Sequence, residues 1–193
     1  MSRVLLCAAS LLLVVPLAVR AQDAQQRLAD LLVELMDRRT QPTTRDTMQK
    51  LHEQINTLVN RLTTRDPADF YNRKLDDLAI AALRAHRPER AAEFEVDVRR
   101  RYIAQTRAVL RAVHSALELR HIDAAVYPTT EQGLAALSVK GDRGGPYLDA
   151  ALPMKDAWGR SFVYRMPGAA GKPYDLFSLG PDGNEGTADD ISE

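Results

Sequence analysis

The distribution of glycine divides this chain into two parts. All ten glycines of the 193 residues lie at or after Gly133. Glycine weakens a helix interior by roughly 0.5–1 kcal/mol relative to alanine, and it is favoured in turns. The sequence therefore predicts an α+β protein with a helical front part and a turn-rich back part. The expected divisions are a signal peptide at 1–21, a helical domain at 22–87, and a second domain at 88–193.

The first 21 residues have the pattern of a secretory signal peptide. Arg3 precedes an apolar run at 4–15, and Ala21 provides a small residue at the expected cleavage point. The run is shorter than the roughly 20 apolar residues that span a bilayer. An uncleaved anchor is the alternative. Cys7, the chain's one cysteine, would leave with the signal. We therefore expect a periplasmic or secreted protein with no disulfide and no membrane span after signal removal.

Apolar stripes at helical spacing predict about four helices in the front part. The first three stripes run from Leu28 to Met36, from Met48 to Leu62 and, after Asp66-Pro67, from Leu75 to Leu83. The Met48–Leu62 seam is narrow and suits a partner helix. The fourth helix is predicted over residues 88–123, which is about 50 Å at 1.5 Å per residue. The earlier helices are the expected cover for its flank.

Charge and motif content exclude several functions. Lys/Arg and Asp/Glu are balanced at 26 each, which argues against a nucleic-acid surface. The run at 99–101 is three arginines just after several acidic residues, so we expect a solvated helix face. His114 and Glu118 lie one helical turn apart and predict a surface hydrogen bond rather than a metal site. No nucleophile elbow, phosphate loop or histidine pair at metal spacing occurs, so a periplasmic hydrolase is the weaker alternative.

The back part predicts a short helix and a hairpin. Thr129 with Gln132 forms a capping box that begins a helix through Leu137. Segments 161–166 and 173–179 are rich in aromatic and β-branched residues and predict two antiparallel strands.

The C-terminal segment 177–191 is an acidic, glycine-rich arc. Asp182 comes from one end of the arc, and Asp189 and Asp190 come from the other. Carboxylates brought together without partners repel one another. Calcium relieves such repulsion because it accepts carboxylate and carbonyl oxygens at about 2.3–2.6 Å. A solvated acidic tail is the alternative interpretation.

Three blocks of sequence resemble a known family. Residues 116–137 contain Ala-Leu-Glu-Leu and Tyr-Pro-Thr-Thr-Glu-Gln-Gly-Leu, residues 152–164 contain Asp-x-Trp-Gly-Arg, and residues 174–191 contain Tyr-Asp-Leu-Phe-Ser-Leu-Gly-x-Asp-Gly. In this order, over about 100–191, they are similar to the globular domain of the type II secretion major pseudopilin, protein G. The resemblance implies a pilin-like domain, in which a long helix packs on a small antiparallel sheet and calcium pins the C-terminal loop.

The resemblance also implies a ligand set and a class of function. Asp182, Asp189 and Asp190 match the family's acidic calcium ligands, Leu179 matches a carbonyl donor, and Asn184 is a further candidate oxygen. A helix–loop–helix calcium hand fits less well because its required glycine would be Thr187. The implied function is a non-enzymatic structural or interaction protein of type II secretion or a pilus-like apparatus. Its expected partners are secretion components, or a second copy through the helical region, and not nucleic acid.

Two departures from the family pattern qualify these expectations. Ala157 stands where the family commonly has proline. Residues 1–22 contain no glycine and no glutamate, so the family's processing signature and polymerising apolar helix are missing there. We therefore expect a chain that does not polymerise in the family's manner, with residues 22–85 covering the flank of the long helix. A genuine pseudopilin with an atypical N-terminus remains the alternative.

Overall fold

The computed structural model describes residues 17–39, 44–62 and 73–193, with side chains described from residue 21 onward. It contains four helices: α1 (Leu17–Arg39), α2 (Arg45–Leu62), α3 (Arg73–His86) and α4 (Pro88–Ala124). Two strands follow, β1 (Val163–Arg165) and β2 (Asp175–Phe177). Much of the signal-peptide prediction and the predicted Asp66-Pro67 helix start lie outside the described residues.

The helices α1, α2 and α3 form a layer held by apolar side chains. The predicted stripe of α1 is buried throughout, from Leu28 at 0 % exposed to Leu35 at 7 %. The seam of α2 packs against α1 of the same chain, where Leu51 meets Leu31 and Leu35. α3 adds Ala82 and Leu83 to the core that it shares with α1. The partner helix that the α2 seam predicted is therefore α1.

The helix α4 connects this layer to the back part of the chain. Its predicted apolar side is buried, including Tyr102, Val109 and Leu117. α3 packs on its amino-terminal half, where the buried Asp76 carboxylate accepts hydrogen bonds from the Tyr102 hydroxyl (2.8 Å) and the Arg101 guanidinium (2.7 Å). Arg73 of α3 also donates to the Trp158 carbonyl (2.5 Å). The expected cover for the flank of the long helix is therefore supplied in part by α3.

The back part contains less regular structure than the sequence predicts. The capping box is present, because Thr129 and Gln132 exchange side-chain to backbone hydrogen bonds of 3.0 and 3.3 Å. The helix that follows, however, is a single 3-10 turn at Leu134–Leu137. The strands pair antiparallel as predicted, with Tyr164 opposite Leu176, but each has three residues. The predicted strands were longer because their apolar residues continue beyond the paired backbone.

The observed architecture agrees with the predicted α+β class, as helices precede a small two-stranded antiparallel sheet. The α4 bounds agree with the prediction to one residue. α1 begins at Leu17, ahead of the predicted boundary at residue 22. None of the helices in the described residues is long and apolar enough to cross a membrane.

Candidate metal centre

The acidic loop is closed by a backbone bridge. The Ser178 N–H donates to the Ile191 carbonyl and the Ile191 N–H donates to the Ser178 carbonyl, each at 2.9 Å. Ser178 directly follows β2, and the side chain of Ile191 is buried in the core beside α4. The intervening residues 179–190 therefore form a loop whose two ends are fixed to the sheet.

A buried carboxylate supports the base of this loop. Asp156 is fully buried and accepts hydrogen bonds from the Ser178 hydroxyl (2.8 Å) and the Arg160 backbone N–H (2.8 Å). The Ser178 oxygen in turn accepts from the Gly180 N–H (3.1 Å), and the Arg160 guanidinium donates to the Gly180 carbonyl. These contacts fix the backbone on both sides of Leu179, the predicted carbonyl ligand.

Gly180 is a point of close approach between the two sides of the loop. Its φ is +61°, a conformation that residues with a Cβ rarely adopt. A Cβ on Gly180 would also collide with the Asp189 carbonyl. A glycine at this position lets the Leu179 side of the loop lie directly against the Asp189 side.

Two of the predicted ligands are joined across the loop. The Asp182 N–H donates to Asp189 Oδ2 (3.1 Å), while Asp189 Oδ1 accepts from the Thr187 hydroxyl (2.7 Å). The Thr187 hydrogen bond, followed by the bond from the Asp182 N–H, lowers the pKa of Asp189 against the opposing effect of desolvation. The Asp189 carboxylate therefore stays charged to a lower pH than an ordinary aspartate.

The other predicted ligands lie in the same loop. The Asp182 carboxylate is exposed and accepts from the Asn184 N–H (2.8 Å), and the Leu179 carbonyl accepts from the Gly183 N–H (3.2 Å). Asp190 is half-buried, and its Oδ2 accepts from the Gly186 N–H (2.8 Å). Its Oδ1 is buried and has no hydrogen-bond partner among the residues that the structure describes.

The donor chemistry suits calcium, although the side chains are not arranged around a common centre. Within residues 17–39, 44–62 and 73–193, no three His, Cys, Asp or Glu side chains are grouped as a metal site. The three carboxylates accept hydrogen bonds from loop N–H groups and from the Thr187 hydroxyl. A buried carboxylate oxygen without a partner is costly, and a cation is one group that would satisfy Asp190 Oδ1. All the candidate donors are oxygens, which calcium prefers.

The residues that support the loop were not predicted from the sequence. Asp156 and Arg160 lie in the Asp-x-Trp-Gly-Arg block and Ser178 lies in the predicted strand 173–179, and the contacts of Asp156 with Ser178 and of Arg160 with Gly180 join positions about 20 residues apart. The available signal in the sequence is the aspartate that begins the Asp-x-Trp-Gly-Arg block, which the structure shows to be buried.

Ala157 stands where the family commonly has proline, and its backbone makes a contact in the structure. The Ala157 N–H donates to the buried Thr106 hydroxyl of α4 (3.1 Å). Proline has no N–H and would remove this bond.

A polar cluster adjoins the loop on α4. The Tyr174 hydroxyl lies 2.6 Å from His114 Nδ1 and 3.0 Å from Glu118 Oε1. Glu193 Oε2 lies 3.5 Å from the same His114 nitrogen. Burial, followed by the Glu118 hydrogen bond, raises the pKa of Tyr174. The predicted pairing of His114 with Glu118 is therefore bridged by Tyr174, and the cluster ties β2 and the C-terminal residue to the long helix.

Comparison with known proteins covers the back part of the chain. The family model described as type II secretion system (T2SS), protein G matches residues 97–193, half of the chain. The chain belongs to the type II secretion system protein G family. Its protein G module thus includes most of α4, both strands and the acidic loop.

Curated relatives match the same module. The type II secretion system core protein G of Pseudomonas aeruginosa is 42 % identical over 93 residues, covering 44 % of this chain and 63 % of the relative. The core protein G of Vibrio cholerae is 44 % identical over 82 residues, covering 39 % of this chain and 54 % of the relative. The chain thus spans between about half and two thirds of the length of these relatives.

A solved structure also matches. The major pseudopilin from the type 2 secretion system of enterohaemorrhagic Escherichia coli is 36 % identical, with a TM-score of 0.40, over 48 % of this chain and 85 % of that one.

Proposed function

We propose that this chain is an exported, non-enzymatic structural and interaction protein of a type II secretion or pilus-like apparatus, built on a protein G module with a structural calcium site. The family membership carries this proposal. The similar proteins of Pseudomonas aeruginosa and Vibrio cholerae are named as core proteins of the type II secretion system. Partners among secretion components follow from the same membership.

Calcium would be held by the carboxylates of Asp182, Asp189 and Asp190, with the Leu179 carbonyl and an oxygen of Asn184 as further donors. The unpartnered Asp190 Oδ1 supports the proposal, as does the Asp182 contact that already joins the two sides of the loop. The cation would neutralise the three carboxylates and hold the loop on the sheet. Its role would be stability, because a cation bound only by the folded loop lowers the free energy of the folded state.

The experiment that tests the calcium site is thermal unfolding of the purified chain in excess calcium and in EGTA. At a hundredfold excess over Kd, one site stabilises by about 2.7 kcal/mol. We expect calcium to raise Tm and Asp189→Ala to abolish that rise. Asp142→Ala, an exposed acidic residue of another loop, is the matched control and should keep it. An unchanged calcium response in the Asp189 variant would contradict the site.

Export and partners need separate measurements. N-terminal sequencing of the protein from the cell envelope should find processing near Gln22. A start at Met1 would instead indicate an uncleaved anchor. A pull-down from envelope extracts, with and without calcium, should recover secretion components, and recovery of none would contradict the assignment to that apparatus.

A further inference from the structure

The face of α4 opposite the core is exposed over most of the length of the helix. Residues three, four and seven apart share a helix face, so side chains from Arg100 to Ile122 line up away from the buried Val109 and Leu117. We call this face the solvent strip of α4, and it is marked by Arg100, Ala104, Arg107, Arg111, Leu119 and Ile122.

The first half of the solvent strip carries positive charge without compensation. No acidic residue occurs in residues 98–117. Among the ion pairs of the described residues, Arg107 and Arg111 have none, and Arg100 only approaches Asp97 at 4.0 Å. Arg107 and Arg111 are one helical turn apart, a spacing at which like charges repel. In contrast, several surface arginines of the described residues are paired, such as Arg165 with Glu185 at 2.7 Å.

The shape of the solvent strip suits a second helix. Ala104, Ala108 and Ser115 are small, so the backbone of an incoming helix could approach closely between the arginines. The strip then ends in exposed apolar side chains, Leu119 at 52 % and Ile122 at 75 % exposed. Charge therefore lies at one end of the strip and apolar surface at the other.

We propose that the solvent strip of α4 binds an amphipathic helix of a partner protein, with carboxylates over Arg100, Arg107 and Arg111 and apolar side chains over Leu119 and Ile122. Guanidinium groups pair with carboxylates through two parallel hydrogen bonds, which gives the contact its register. A bilayer fits the strip less well, because a helix lying on lipid has apolar residues along its whole length. The inference rests on this face of α4 and holds whether or not the calcium site exists.

The test uses the full chain and fluorescently labelled helical peptides. Two probes carry glutamates and leucines on one face in the order that matches the strip, one for each helix direction. A third probe has the same composition with the glutamates distributed around the helix. We expect one face-ordered probe to bind about tenfold more tightly than the distributed probe, and high salt to weaken it.

Substitutions then locate the binding surface. Arg107→Glu with Arg111→Glu should weaken the face-ordered probe by about tenfold or more. Arg45→Glu with Arg61→Glu makes the same change of charge on exposed positions of α2 and should leave binding unchanged. Circular dichroism of both variants verifies that the helices persist.

Four results would overturn the proposal. Equal binding of the ordered and distributed probes, or equal loss in both double variants, would mean attraction by charge alone. Binding to phosphatidylglycerol vesicles that only the Arg107/Arg111 variant loses, without preference among peptides, would make the strip a lipid surface. Sedimentation of a dimer that only this variant loses would make the occupant a second copy of the chain.

Discussion

The helical layer α1–α3 and the loop module, which comprises residues 156–191 with β1, β2 and the acidic loop, are stabilised by different kinds of contact. The layer buries leucine and alanine side chains such as Leu28 and Leu83, each fully buried. The loop module has two three-residue strands and depends on individual polar atoms, above all the Asp156 carboxylate and the Ser178 hydroxyl. An apolar layer tolerates exchange among residues of similar volume, whereas a hydrogen-bonded loop loses a specific contact with each polar group removed.

The largest expected effect is therefore at Asp156. Asp156→Ala removes a fully buried carboxylate and leaves the Ser178 hydroxyl and the Arg160 N–H without their acceptor. We expect a loss of about 2–6 kcal/mol in the free energy of unfolding, measured by urea denaturation, because two groups are left unsatisfied. Leu83→Ala in the helical layer is the comparison, with an expected cost of about 2–5 kcal/mol from the cavity.

The two variants should differ in where the damage appears. Hydrogen exchange in Asp156→Ala should accelerate first in residues 178–191, and in Leu83→Ala first in α1 and α3. Uniform acceleration of hydrogen exchange in both variants would mean that the two regions unfold as one unit. The prediction that each region loses stability separately would then be wrong.

The parts of the fold that could be predicted are those with a periodic signal. Apolar residues repeating along α4 predicted a long helix, and Pro88 with the break at Tyr127-Pro128 predicted its limits to within one residue. The α1 stripe is buried as predicted. The supports of the loop have no such period, because Asp156 and Ser178 meet only through tertiary folding. The acidic arc itself indicated Asp182, Asp189 and Asp190 as candidate ligands, whereas Leu179 and Asn184 came from the resemblance to a family. No spacing rule for carboxylates alone would have selected Leu179.

The junction between the regions was also hidden from the sequence. A single polar residue on an apolar helix side, such as Asp76 in α3, gives no pattern that identifies its partner. In the structure its carboxylate joins α3 to Tyr102 of α4 (2.8 Å). A substitution at Asp76 therefore tests how the helical layer and the rest of the chain are joined.

Asp76→Ala should separate the helical layer from the long helix. The variant leaves the buried Tyr102 hydroxyl without its acceptor and removes the Arg101 ion pair (2.7 Å). We expect a loss of about 2 kcal/mol, since one buried polar group is left unsatisfied. Asp77→Ala changes the adjacent exposed carboxylate and is the matched control. Limited proteolysis should release α1–α3 earlier in the Asp76 variant alone, and equal release in both would argue against the junction.

Alkaline pH should destabilise the protein G module through its buried tyrosines. Burial is the main cause that raises the pKa of Tyr102 and Tyr174, and burial raises the pKa of Tyr164 to about 12. A tyrosine whose pKa is higher in the folded than in the unfolded state stabilises the folded state. This contribution is fully present below the unfolded pKa of 10.0 and is lost as the pH rises toward the folded pKa. At pH 10 the loss is about 0.4 kcal/mol for each tyrosine.

Tyrosinate absorbance measures this effect directly. The three buried tyrosines should titrate together with unfolding above pH 10, and Tyr164→Phe should reduce the alkaline loss of stability. Ionisation of all tyrosines near pH 10 without any change in circular dichroism would show that burial does not protect them.

The smallest expected effect is at the exposed ion pairs, which occur in both regions. Arg165 and Glu185 meet at 2.7 Å beside the acidic loop, and Arg84 and Glu95 meet at 2.7 Å between α3 and α4. A hydrogen bond from each arginine lowers the pKa of its glutamate. The stabilisation by each pair is therefore fully present above the ordinary glutamate pKa of 4.5, and it is lost as the pH falls through the lowered pKa. Water and salt screen both pairs because they are exposed.

Double-mutant cycles with glutamine at both members of each pair should give coupling energies close to the error of measurement, and both should vanish in high salt. A strong, salt-resistant coupling for Arg165 and Glu185 alone would mean that the loop module also depends on its surface charges. That result would place part of the stability of the loop in the exposed Arg165–Glu185 pair rather than in the buried Asp156 contacts. Equal, weak couplings would confine the difference between the two regions to their buried groups.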